Sequence, residues 1–147
     1  MYTLLKFLHV LSAVVGVGAN LTYPVLLARA HREPAHLAHV LETIRALDRR
    51  VAMPAYAAVL LTGLLLLLTG PIAITASWVW ISLTLYVVIA VIGATALARA
   101  MGTMRQTLAA GGHESAAYRR AQARAYRLIA VATTLVVVIL YLMVAKP

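Results

Sequence analysis

Few groups in this chain can do metal, redox or acid–base chemistry. Its 147 residues hold five His, four acidic residues and no Cys, which excludes thiolate metal sites, disulfides and thiol redox steps. Glu33, Glu42, Asp48 and Glu114 all fall in polar connections, as do His31, His36, His39 and His113. His9 does not. It lies in LLKFLHVLSAVVGVGANLTYPVLL, residues 4–27, an apolar run that exceeds the roughly 20 residues needed to cross a bilayer. At about 1.5 Å per residue, its imidazole sits roughly two turns in, a depth at which an ionisable group has a partner or a job. A neutral imidazole there has two candidate roles. It can ligate haem iron, or it can bond Tyr141, Ser82 or Thr69 at the same end of a bundle, or simply reach for the interface.

A second candidate site is the trio His31, His36 and His39 near Glu33. His36 and His39 are spaced i, i+3 on a helix, a pairing that suits one metal ion, copper by preference for imidazole. The competing reading is a solvated polar face beside an Arg-rich segment. His113 follows the Gly111-Gly112 pair and reads as loop. There is no Gly-rich phosphate cradle and no pair of carboxylates inside a span, so proton-coupled transport through a buried acid is disfavoured.

The elements that must position these groups are membrane helices. With 63% hydrophobic and 12% charged residues, and a mean hydropathy of +0.91, the chain is too apolar for a soluble domain. We read an all-α integral membrane four-helix bundle, one domain over residues 1–147, with spans at about 3–28, 54–70, 78–100 and 127–145. Before the second span, Leu37, Val40, Leu41, Ile44, Leu47 and Val51 recur at helical spacing behind Pro34. That pattern predicts an amphipathic interfacial helix running into the span, with a kink at Pro54. Thr69-Gly70-Pro71 ends the second span, the link to Ser77 carries no charge, and Trp78 and Trp80 mark an interface. In the first span, His9, Ala13, Gly16, Asn20 and Leu27 share one face, flanked by Ser12 and Tyr23. A face that polar and small must meet protein, and the third span's Ser82-Tyr86-Gly93 face is the expected partner.

Arginine placement sets the orientation. Five arginines lie in the first connection (29, 32, 45, 49, 50), six in or beside the third (99, 105, 119, 120, 124, 127), and none in the second. By the positive-inside rule the two basic connections are cytoplasmic and both termini face out. The net charge of +9 then reflects topology and anionic lipid headgroups, and no nucleic-acid role is expected. A shift of 70 residues aligns Leu27-Ala28-Arg29-Ala30 with Leu97-Ala98-Arg99-Ala100, Arg49-Arg50 with Arg119-Arg120, and Ala55-Tyr56 with Ala125-Tyr126. The bundle thus reads as two hairpins related by an axis along the membrane normal, unless the matches reflect only cheap Leu and Ala identities. Ala94, Ala98 and Gly102 form a small-residue row, expected to pack inside the bundle rather than in a homodimer seam.

Several short motifs carry a resemblance: Leu5-Lys6-Phe7-Leu8-His9-Val10, the Gly-rich middle of the first span, Asp48-Arg49-Arg50, Met53-Pro54, Trp78, and the terminal Val144-Ala145-Lys146-Pro147. With these the chain resembles the copper-resistance D-like superfamily of small membrane bundles. Within it, the chain is most similar to a family of predicted integral membrane proteins of unassigned function, and more distantly to the bacterial membrane protoporphyrinogen oxidases. In those oxidases the His of the first-span motif, here His9, ligates haem b. The resemblance therefore implies a haem site between the first, third and fourth spans at the level of Ser82, Tyr86 and Tyr141. Ser82 stands where the oxidases carry a Lys, and Trp80 where they carry a His, which argues against a six-coordinate haem and against the oxidase reaction.

Three classes of function follow. His9 and the resemblance favour a haem b-binding, redox-linked protein of the bacterial cytoplasmic membrane. The three clustered histidines and the repeat favour copper or small-solute transport. The lack of a second ligand favours an accessory or structural subunit of a larger membrane complex.

Overall fold

The computed structural model describes residues 1–71 and 75–146. Part of the uncharged link after Pro71, and Pro147 of the terminal motif, lie outside the described residues. Nearly all of the rest is helix: α1 (Tyr2–Arg32), α2 (Leu37–Leu47), α3 (Met53–Thr69), α4 (Ser77–Val91), α5 (Ala98–Gly111) and α6 (Ala116–Ala145). A 3-10 turn (Pro34–His36) leads into α2, and π-helical turns join α2 to α3 (Asp48–Ala52) and α4 to α5 (Ile92–Leu97). The chain therefore makes four long rods, Tyr2–Arg32, Pro34–Thr69, Ser77–Gly111 and Ala116–Ala145, each long and apolar enough to span a membrane. The all-α four-span architecture is as expected.

Rod length explains where the core sits. Rods of 31, 36, 35 and 30 residues measure roughly 45–54 Å, against about 30 Å of hydrocarbon. The excess lies at the basic end, where water can drive apolar burial. There Tyr23, Leu27, Leu41, Ile44, Ala100, Met104, Tyr118, Ala121 and Ala125 form one buried cluster drawn from all four rods. The expected amphipathic segment is present as α2 and runs on into the second span. Its face of Leu37, Leu41 and Ile44 is buried in the bundle, not laid on a lipid interface. At the expected kink position the π-turn at 48–52 precedes Pro54, which sits in the first turn of α3, where its ring is tolerated. The other proline inside a rod, Pro24, aligns under the 70-residue shift with Ala94, inside the second π-turn.

Over the span stretches the picture inverts. Only 6–17% of the most apolar window of each rod is buried, and Val14, Leu61, Leu68, Val87 and Val137 are among the exposed side chains. The total accessible surface is 9111 Å², against roughly 7,300 Å² for a soluble monomer of this mass. Lipid must cover the difference.

Pairing follows the predicted repeat. α1 packs antiparallel along α3, and α4 and α5 pack along α6, while among the described residues α1 makes no backbone approach to α4. The expected contact of the first and third spans is therefore wrong. The polar face of α1 does point at protein, with Gly16, Tyr23 and Leu27 buried, but it meets the second span. The row Ala94, Ala98, Gly102 also differs from expectation. Ala94 and Ala98 are exposed, and a Cβ added at Gly102 would meet nothing within 4 Å, so the row does not pack within the bundle. Gly112 ends α5 with φ of 73°, a conformation that glycine adopts at little cost.

Candidate functional site

The α1–α3 seam is a ladder of small and polar contacts. At the terminal end, a Cβ on Gly70 would lie 2.5 Å from the Leu66 carbonyl oxygen and 2.6 Å from the Tyr2 ring, so only glycine fits where the two helices close. One step in, His9 lies against α3. Its Nδ1 is 3.0 Å from the Val59 carbonyl oxygen and 3.0 Å from Thr62 Oγ1, and a Cβ on Gly63 would come within 3.1 Å of its Cε1. Toward the basic end, Asn20 Nδ2 donates to the Tyr56 hydroxyl at 2.5 Å, and that hydroxyl donates to the Gly16 carbonyl at 3.1 Å. Gly16 has no side chain because the Tyr56 ring occupies the space, 3.1 Å from where a Cβ would stand.

The His9 bonds fix its tautomer. A carbonyl oxygen only accepts, and the Thr62 hydroxyl gives its own hydrogen to the Ala58 carbonyl at 2.5 Å, so Nδ1 carries the proton. Nε2 therefore keeps its lone pair and has no hydrogen-bond partner among the described residues. A histidine that binds a metal is set up in the same way, with the far ring nitrogen donating to a backbone carbonyl.

Sequence reasoning placed His9 beside Ser82, Tyr86 and Tyr141, and the structure distributes these differently. His9 bonds Thr62 and Val59, not Tyr141, Ser82 or Thr69. Tyr86 reaches across the bundle to donate to the Tyr56 carbonyl at 2.8 Å, tying α4 to α3. Ser82 is 2% exposed and its Oγ has no partner among the described residues. Tyr141 is 67% exposed on the outside of α6. Val59, Thr62 and Gly63 were missed, although with Tyr56 they recur at i, i+3, i+6 and i+7 and bring a polar and a small residue to one face of a leucine-rich span.

The histidine trio is not assembled. His31 donates from Nδ1 to the Leu27 carbonyl at 2.5 Å, and its Nε2 accepts from the buried Tyr118 hydroxyl at 3.2 Å, so both nitrogens serve the basic-end core. His36 sits 3.2 Å from Glu33, with both side chains more than half exposed. His39 is exposed. Among the described residues, no three His, Asp or Glu side chains are grouped to hold a metal ion. His113 lies in the turn after Gly112, as expected.

Fold and seam together define an integral membrane bundle of two helical hairpins, joined by a core beyond the lipid and by sparse polar ties within it. The chain belongs to the family of predicted integral membrane proteins termed DUF2269, whose model matches residues 3–147. No curated protein matches it, and neither does any solved structure.

Proposed function

We propose that this protein binds haem b in the bacterial cytoplasmic membrane through Nε2 of His9, and that its role is redox-linked. The observation that carries this reading is the Nδ1 bond to the Val59 carbonyl, which leaves a lone pair on Nε2 at bilayer depth. An unsatisfied polar atom there carries a cost of about 1–3 kcal/mol, which a ligand would remove. The resemblance to the copper-resistance D-like superfamily and its haem-binding oxidases supports the same atom. Haem would supply one-electron chemistry. The chain's part would be to hold the imidazole in one tautomer through Val59 and Thr62, with its ring seated in the space that Gly63 leaves against α3. Ser82 stands where the haem-binding oxidases carry a Lys, so the oxidase reaction is not part of the proposal. The orientation proposed with it puts the basic end in the cytoplasm.

The test is a visible spectrum of the protein purified in detergent with haemin added during expression. A Soret band is expected, lost in His9→Ala and kept in the His36→Ala/His39→Ala double variant. A band that survives His9→Ala overturns the assignment.

A second reading, an accessory subunit of a membrane complex, is favoured by the broad exposure of the spans. In that case His9 is only a tie between α1 and α3, no Soret band appears under any loading condition, and other subunits co-purify.

A further inference from the structure

The basic end carries arginines that the seam does not use. Glu42, Arg45, Ala46, Arg49 and Arg50 line a shallow, open pocket on the outer face of α2 and the π-turn after it. The π-turn matters here. Arg49 follows Arg45 by four residues and Arg50 by five, and the extra residue accommodated in the turn keeps both on the pocket. None of the three makes an ion pair with an acid among the described residues, and the Glu42 carboxylate is engaged 3.8 Å from Arg105 Nη1. Asp48 offsets part of the Arg49 charge and Glu42 lies at the rim, but three guanidinium groups on one face leave it net positive and match a phosphate, whose oxygens accept paired N–H bonds from a guanidinium fork.

The face below the pocket names the source of that phosphate. Arg50 stands four residues, or about 6 Å, ahead of Pro54, where the apolar span begins. The same helix stripe then continues through Met53, Leu61, Leu64 and Leu68, all exposed. Guanidinium groups above an outward apolar strip fit a headgroup with acyl chains attached, and a free phosphate would make no use of the strip.

We propose that Arg45, Arg49 and Arg50 form a site for the phosphate headgroup of an anionic phospholipid, whose acyl chains lie along the Met53–Leu68 stripe. The site is independent of the haem reading. Its test is native mass spectrometry of the full chain in detergent titrated with phosphatidylglycerol. The Arg45→Gln/Arg49→Gln/Arg50→Gln variant is compared with Arg119→Gln/Arg120→Gln/Arg124→Gln, which removes the same charge from exposed positions on α6. The first variant is expected to bind at least about tenfold more weakly than the second. Replacing the same three arginines by Lys, which keeps the charge and removes the fork, is expected to give a measurable loss as well. Equal loss in the two Gln variants, or full binding by the Lys variant, overturns the proposal by showing a diffuse field. Displacement of the lipid by inorganic phosphate at equal concentration overturns the lipid as occupant.

Discussion

The two ends of this bundle are held together by different physics. Beyond the lipid, Leu27, Leu41, Met104 and Tyr118 are at most 1% exposed, and the four rods share one core. Within the lipid, hydrocarbon is as good a neighbour as leucine, so apolar packing has little to drive it. What remains there is a list of short polar contacts: His9 to Val59 and Thr62, Asn20 to Tyr56, and Tyr86 to the Tyr56 carbonyl. Stability is concentrated where water is, and the candidate ligand site lies in the loosely tied half. A site in that half can adjust to a bound group without unfolding the bundle.

The same substitution made in both regions tests this most directly. Leu27→Ala and Met104→Ala should each cost about 2–5 kcal/mol, because they remove burial and leave a cavity. Leu66→Ala, at a buried position on α3, should cost less than about 2 kcal/mol, since lipid is the alternative environment. Equilibrium unfolding in mixed micelles reads both, and equal losses would erase the distinction. Tyr118→Phe sharpens it at smaller scale: it keeps the ring and removes only the bond to His31, and about 1 kcal/mol is expected. Asn20→Leu within the lipid should cost a similar amount or less, about 0.6–2 kcal/mol, with a Tyr56 hydroxyl still bonded to Gly16. A loss as large as that of Leu27→Ala would mean that polar ties, not the basic-end core, dominate.

Topology gives a prediction with no energy attached. The chain has no Cys, so a single Cys at Ser77, which is exposed at the start of α4, and another at Arg119 report opposite ends. Membrane-impermeant reagent applied to intact cells should label the first and spare the second. The reverse pattern would invert the proposed orientation and move the phospholipid site to the outer leaflet.

Much of this was legible from residue order. Span number follows from apolar run length, and the protein-facing side of α1 follows from the spacing of His9, Gly16, Asn20 and Leu27. Which helix that face would meet was not legible. Ser82 and Tyr86 on the third span looked as suitable as Tyr56 and Thr62 on the second, since both stripes are polar and neither carries a charge. The hairpin pairing implied by the 70-residue repeat was the better guide, because a short link makes consecutive rods neighbours. The fate of α2 was hidden for another reason. An apolar stripe beside arginines looks the same whether it faces lipid or three other rods, and only the extra length of those rods decides between the two.

The smallest expected effect concerns the tie between the halves. Tyr86 donates to a carbonyl at position 56 that lies inside α3, where it already has the helix's own N–H as a donor. Its hydroxyl therefore adds a second bond to an acceptor that does not depend on it, and hydrocarbon-buried bonds of this kind average about 0.6 kcal/mol. Tyr86→Phe keeps the ring and deletes that bond. Unfolding in mixed micelles should shift by about that amount, and any Soret band should persist with at most a small change in position. A loss above about 2 kcal/mol would show that the two hairpins are clamped within the lipid as well as beyond it. In that case the loosely tied half does not exist as described, and the site at His9 is as rigid as the core at Tyr118.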